Sequence, residues 1–125
     1  PFIAHASIGP SCAVAHLDGG KLTVWTHSQG IGPLRREIAR VLGKPEPELR
    51  LVHVPGAGCY GQNGADDVAL EAALIACAVP GRPVRLQWMR EDEFAFEPFG
   101  SPMAIEMRAA LDEAGRIVEW RHELW

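Results

Sequence analysis

Pro55-Gly56-Ala57-Gly58-Cys59-Tyr60-Gly61-Gln62-Asn63-Gly64-Ala65-Asp66-Asp67 joins two apolar segments of different character, and its reading decides the fold. Upstream, Leu49-Arg50-Leu51-Val52-His53-Val54 has the length and composition of a strand. Downstream, Val68 to Val79 carries one charge, Glu71, and is rich in alanine, as in a helix packed closely on its neighbours. Between them, glycines at 56, 58, 61 and 64 open the chain to positive φ and to close approach by another group. A loop of this kind, leading into a helix, turns successive N–H groups toward an anionic ligand. Asn63 is the expected N-cap, with Asp66 and Asp67 in the first turn, where negative charge suits the helix dipole.

Working back from the loop, Gly30-Ile31-Gly32-Pro33 leads into an amphipathic helix with Leu34, Ile38, Val41 and Leu42 at helical spacing. Gly43, Pro45 and Pro47 end it. Before that, Ser11–Leu17 and Lys21–Thr26 flank Asp18-Gly19-Gly20, a hairpin signal. Working forward, Pro83–Met89 alternates as a strand, and Arg90–Phe94 suggests a short helical turn. Met103–Leu111 and Arg116–Leu124 form a second hairpin around Asp112-Glu113-Ala114-Gly115. Ile105, Met107, Ala109 and Leu111 share one strand face, as do Val118, Trp120, His122 and Leu124. The expected order is ββ-α-β-α-βββ: an α/β (α+β) chain with two helices on a mixed sheet.

With 125 residues, 47% hydrophobic and 22% charged, the chain fits a single folded domain over 1–125. A net charge of −4 with dispersed basic residues gives no nucleic-acid footprint, and no apolar run reaches the ~20 residues of a membrane span. Cys12, Cys59 and Cys77 lack thiolate metal-site spacing, and the five histidines form no ligand pair. The cysteines do not distinguish cytoplasm from periplasm. Opening on Pro1-Phe2-Ile3 and stopping at Trp125 inside a strand pattern, the chain is expected to be a segment of a longer protein.

The residues leave several readings of the loop open. Gly56-x-Gly58-x-x-Gly61 after a strand matches a dinucleotide-binding fingerprint, although Pro80-Gly81 stands where its ribose-binding acid is expected. A tight strand-to-helix turn in a ligand-free structural fragment is the plainer alternative. Gln29 taken alone is a solvated turn residue.

Four runs carry a resemblance: Ala4-His5-Ala6-Ser7-Ile8-Gly9-Pro10, Trp25-Thr26-His27-Ser28-Gln29-Gly30, Gly56 through Asp67, and Pro80–Arg85 with Arg90–Glu93. In order and over nearly the whole chain, they resemble the molybdenum-cofactor-binding subunit of the xanthine dehydrogenase/aldehyde oxidase family. The likeness is to the bacterial branch that contains isoquinoline 1-oxidoreductase and related aldehyde and nicotinate dehydrogenases. The resemblance implies that Gln29 faces an oxo ligand of molybdenum, and that Gly58, Cys59, Tyr60 and Gly61 bring main-chain N–H groups toward the same centre. Cys59 is an extra residue relative to the commoner Gly-Gly-Phe-Gly-Gly-Lys form of the loop, and Gln62-Asn63 stands in place of Gly-Lys. The implied cofactor is a molybdenum–pterin, in the cytosine-dinucleotide form often used by the branch. Electrons would leave through iron–sulfur clusters on a small [2Fe-2S] subunit and, in some members, a cytochrome.

The implied reaction hydroxylates an aldehyde or a carbon beside a ring nitrogen, with water as the oxygen source. The family's catalytic glutamate lies beyond this segment, so none of Glu91, Asp92, Glu93 or Glu97 is assigned to it. Residues 1–125 alone are expected to be inactive.

Overall fold

The computed structural model describes residues 5–56, 58–60, 68–97 and 100–125. Strands β1 (Cys12–Asp18) and β2 (Lys21–Thr26) pair antiparallel through a two-residue turn. Both turn residues, Gly19 and Gly20, have positive φ, so the turn follows the twist of the strands. Helix α1 (Ile31–Leu42) ends on Gly43 in the left-handed conformation, whose N–H reaches the Arg40 carbonyl. It leads through a 3-10 turn at Glu46–Glu48 to β3 (Leu49–His53), which lies parallel to β2. Helix α2 (Val68–Ala78) then crosses back to β4 (Val84–Gln87), antiparallel to β1. The sheet order is β3-β2-β1-β4, a mixed sheet as expected.

Alternation along the strands separates two faces. Ala13 and Ala15 of β1, Leu22 and Val24 of β2, and Leu49 of β3 are buried against the helices. Helix α2 packs on them through Val68, Ala69, Ala72, Ala73 and Ala76, all fully buried. The sequence suggests that α2 is covered nearly all round, but Leu74 and Ile75 are exposed. The alanines let the helix axis approach the sheet, and the bulkier residues are left on the outer face. Its only charge is accounted for, because Trp88, itself buried, donates its indole N–H to Glu71 Oε2 at 2.7 Å.

Two features differ from the expected order. Arg90–Phe96 is a full helix, α3, giving three helices among the described residues rather than two. The last two strands, β5 (Ile105–Leu111) and β6 (Ile117–Leu124), form their own two-stranded sheet instead of extending the first. Cross-strand pairs Ile105–Leu124, Met107–His122 and Ala109–Trp120 put the two apolar strand faces on one side of this hairpin. A bulge beyond Ala110 sets Leu111 opposite Ile117.

Candidate functional site

Strands β2 and β3 run side by side toward the site. Their ladder ends at the Thr26–His53 pair and at the Val54 N–H, which donates to the Thr26 carbonyl at 2.9 Å. Beyond that point one chain enters the turn that carries Gln29 and the other enters the glycine loop. Parallel pairing therefore delivers two segments about 25 residues apart in sequence to the same sheet end.

The turn is stapled by hydroxyls. Ser28 N–H donates to Thr26 Oγ1 at 3.3 Å, and Gly30 N–H donates to Ser28 Oγ at 3.2 Å. Thr26 and Ser28 are buried, whereas Gln29 stands exposed at the tip on that fixed base. The Gly30 carbonyl accepts from Leu34 N–H at 2.9 Å and starts α1. His53 reaches across from β3, and its Nδ1 lies 3.1 Å from the Ser28 carbonyl. A carbonyl only accepts, so this nitrogen carries a proton and donates.

The loop packs closely on this turn. A Cβ at Gly56 would stand 2.4 Å from His27 Cβ and 2.8 Å from Cγ, so only glycine fits there without displacement. Gly58 has φ +106°, and a Cβ on it would stand 2.6 Å from Tyr60 Cε2. Tyr60 itself has positive φ and is largely exposed.

The result is a hollow of about 260 Å³ lined by His27, Gln29, His53, Gly56, Gly58 and Cys59, together with Pro55. Three of the residues expected at the site, Gln29, Gly58 and Cys59, thus share one cavity. Tyr60 folds over Gly58 beside it rather than lining it. Gly61 lies outside the described residues, as do Asn63, Asp66 and Asp67. His27, Pro55 and Gly56 form a wall between this hollow and a larger groove of about 550 Å³. That groove is mainly apolar, with Cys12, Val14, Trp25 and Val54 in its lining.

The sequence suggests only packing or surface roles for the histidines, yet His27 and His53 both line the hollow. No local motif marks them; the parallel register brings them together. His27 Nε2 accepts from Cys12 N–H at 3.3 Å, which places the proton on Nδ1, buried and without an acceptor among the described residues. Burial lowers the His27 pKa below its ordinary value of 6.5. The Glu93 carboxylate opposes that shift, and His53 adds to it. The ring is therefore neutral at pH 7.

The acids of α3 hold the chain entering β1. Buried Glu93 accepts from Ser11 N–H at 2.7 Å and pairs with Arg90 at 2.6 Å; Arg90 in turn reaches the carbonyls of Ser7 and Ile8. Glu97 accepts from His5 N–H at 2.9 Å. Among the described residues, no group of three or more His, Cys, Asp or Glu is placed to hold a metal ion directly. The described lining of the hollow contains no carboxylate and includes the Gln29 amide, a donor suited to an anionic, oxo-bearing acceptor.

The molybdopterin cofactor-binding domain family matches residues 1–125. The chain belongs to this family. It is 40% identical over 120 residues to a nicotinate dehydrogenase subunit of Pseudomonas putida, covering 96% of this chain and 10% of that protein. It is 32% identical to the aldehyde oxidoreductase molybdenum-binding subunit PaoC of Escherichia coli, over 100% of this chain and 17% of the relative. Against the beta chain of isoquinoline 1-oxidoreductase from Brevundimonas diminuta the identity is 30%, over 97% and 16%. The fold is shared with quinoline 2-oxidoreductase from Pseudomonas putida, at a TM-score of 0.83 and 24% identity, over 98% of this chain and 16% of that one. The chain thus spans between 10% and 17% of the length of these three curated relatives. In this member of the family, the hollow between the Gln29 turn and the glycine loop is where the hydroxyl staples, the two histidines and the tight glycine contacts converge.

Proposed function

We propose that this chain is the part of a molybdenum hydroxylase large subunit that presents Gln29 and the 56–64 loop to the molybdenum–pterin group. The substrate class is an aldehyde or a carbon beside a ring nitrogen. The observation that carries the reading is the single hollow shared by Gln29, Gly58 and Cys59. When bound, the group supplies a two-electron oxidation that takes its oxygen from water.

This chain's residues hold and orient. With the group bound, the Gln29 carboxamide would act as a donor to it, its base fixed by the Thr26 and Ser28 hydroxyl staples. Main-chain N–H groups at and after Gly58 add donors without bulk. Neutral His27 keeps a positive charge out of the wall. In the proposed assembly the pterin is the cytosine-dinucleotide form, the iron–sulfur clusters lie on a small partner subunit, and the remainder of this subunit supplies the base. A cytochrome is the proposed acceptor in those members that carry one.

A dinucleotide reading of the loop has less support. A dinucleotide-binding βαβ unit sets its second strand beside the first, whereas β4, the strand that follows α2, pairs with β1 on the far side of the sheet from β3.

The test is molybdenum and pterin analysis of the full-length subunit, followed by Gln29→Ala. Bound molybdenum with an altered paramagnetic molybdenum signal and a ~10²-fold or greater loss of kcat is expected, the size typical of a lost charge-stabilising donor. An unchanged signal and rate in Gln29→Ala would refute the assignment.

A further inference from the structure

We infer that His53 is a positioning residue, locking the Gln29 turn to the strand that feeds the glycine loop; this rests on the molybdenum–pterin reading of the hollow. Among the described residues, the backbone ladder between β2 and β3 runs as far as the Val54 N–H bond to the Thr26 carbonyl. The His53 Nδ1 bond to the Ser28 carbonyl crosses the gap one step past the ladder. It attaches at the residue whose own N–H and hydroxyl already staple the turn, immediately before Gln29. On the other side, Gly56, three residues along the chain from His53, presses on the ring of His27, two residues before Gln29.

Each chain therefore contributes one histidine to the seam. His53 ties by a hydrogen bond, and His27 ties by contact with Gly56 and by accepting from Cys12 N–H. Gln29, exposed at the tip, gains a fixed direction only if its base does not rock against the loop. A side-chain hydrogen bond across the seam opposes that rocking. His53 acts through the Ser28 carbonyl on the base of Gln29.

The experiment compares His53→Phe and His53→Asn in the full-length, cofactor-loaded subunit. Phenylalanine keeps a ring without a donor. Asparagine keeps an N–H on the atom bonded to Cγ, the position occupied by Nδ1 in histidine. Amide hydrogen exchange at Gly30 and the paramagnetic molybdenum signal are read together, with kcat and KM for the substrate that the enzyme turns over.

His53→Phe is expected to speed Gly30 exchange about fivefold or more, to broaden the molybdenum signal, and to lower kcat several-fold with KM little changed. His53→Asn is expected to restore all three toward wild type. Unchanged Gly30 exchange in His53→Phe would overturn the tie itself. Faster exchange with a wild-type molybdenum signal would overturn the positioning role. Failure of the underlying site reading shows separately, as an unchanged signal in Gln29→Ala, whatever the His53 variants do.

Discussion

Gly56→Ala tests the seam between the Gln29 turn and the glycine loop most directly. The added Cβ would stand 2.4 Å from His27 Cβ and 2.8 Å from its Cγ. Unstrained carbon contacts lie near ~3.5–4.0 Å, so one side must move by about 1 Å or more. His27 is anchored by β2 behind it and by the Cys12 N–H bond, which directs the displacement into the loop. Overpacking of this size costs about 1–3 kcal/mol. At roughly 4 °C per kcal/mol for a domain of this length, the midpoint of thermal unfolding should fall by about 4–12 °C.

A double-mutant series identifies the cause. His27→Ala removes the ring but keeps the 2.4 Å neighbour, so Gly56→Ala should cost nearly as much in that background. His27→Gly removes both neighbours, and Gly56→Ala should then cost under about 0.5 kcal/mol, the usual limit of additivity for uncoupled sites. Differential scanning calorimetry on the single and double variants measures this. Equal costs of Gly56→Ala in the His27→Gly and wild-type backgrounds would refute the claim that the loop is seated by His27.

The His27 environment also sets a pH dependence. Its folded pKa is depressed, so the unfolded chain binds more protons below about pH 6.5. The stabilising contribution is complete above 6.5 and declines as pH falls toward the lower folded value. His27→Asn should flatten the stability curve between about pH 5 and 6.5, measured by urea midpoints across that window. Glu93→Gln leaves Arg90 without its partner and weakens the bond from Ser11 N–H; a loss of roughly 2–3 kcal/mol is expected in urea unfolding. The apolar face of the β5–β6 hairpin is exposed, with Ile105, Met107, Trp120 and Leu124 each more than half accessible. In the 125-residue chain, Ile105→Glu with Trp120→Glu should reduce self-association in sedimentation velocity and leave far-ultraviolet dichroism unchanged.

Local chemistry makes some of this architecture readable and leaves the rest dark for definite reasons. Asp18-Gly19-Gly20 announces the first hairpin because glycines readily adopt the positive φ that a two-residue turn matching strand twist needs, and both do so here. Gly43 ends α1 for the same stereochemical reason. Hydrophobicity along α2 shows that it packs but not with which face. Distance of approach decides that, and the alanines of α2 give the helix a small-residue face that shares one core cluster with Ala13 and Ala15. The alternation in β5 and β6 establishes their pairing, but a two-stranded unit carries no mark of the sheet it belongs to.

The site is the least legible part. Gln29 and the loop come into view through resemblance, because nothing in a window of ten or twenty residues relates position 29 to position 58. What relates them is the parallel register Thr26–His53, a contact set by the crossover helix between β2 and β3. The same register pairs His27 and His53 across the hollow, although their spacing in sequence matches no ligand motif. A single residue's slip along β3 would turn His53 to the opposite face of the sheet, away from the Ser28 carbonyl. The geometry at Gln29 is therefore specified by core residues such as Leu22, Val24 and Leu49, which fix that register from several residues away.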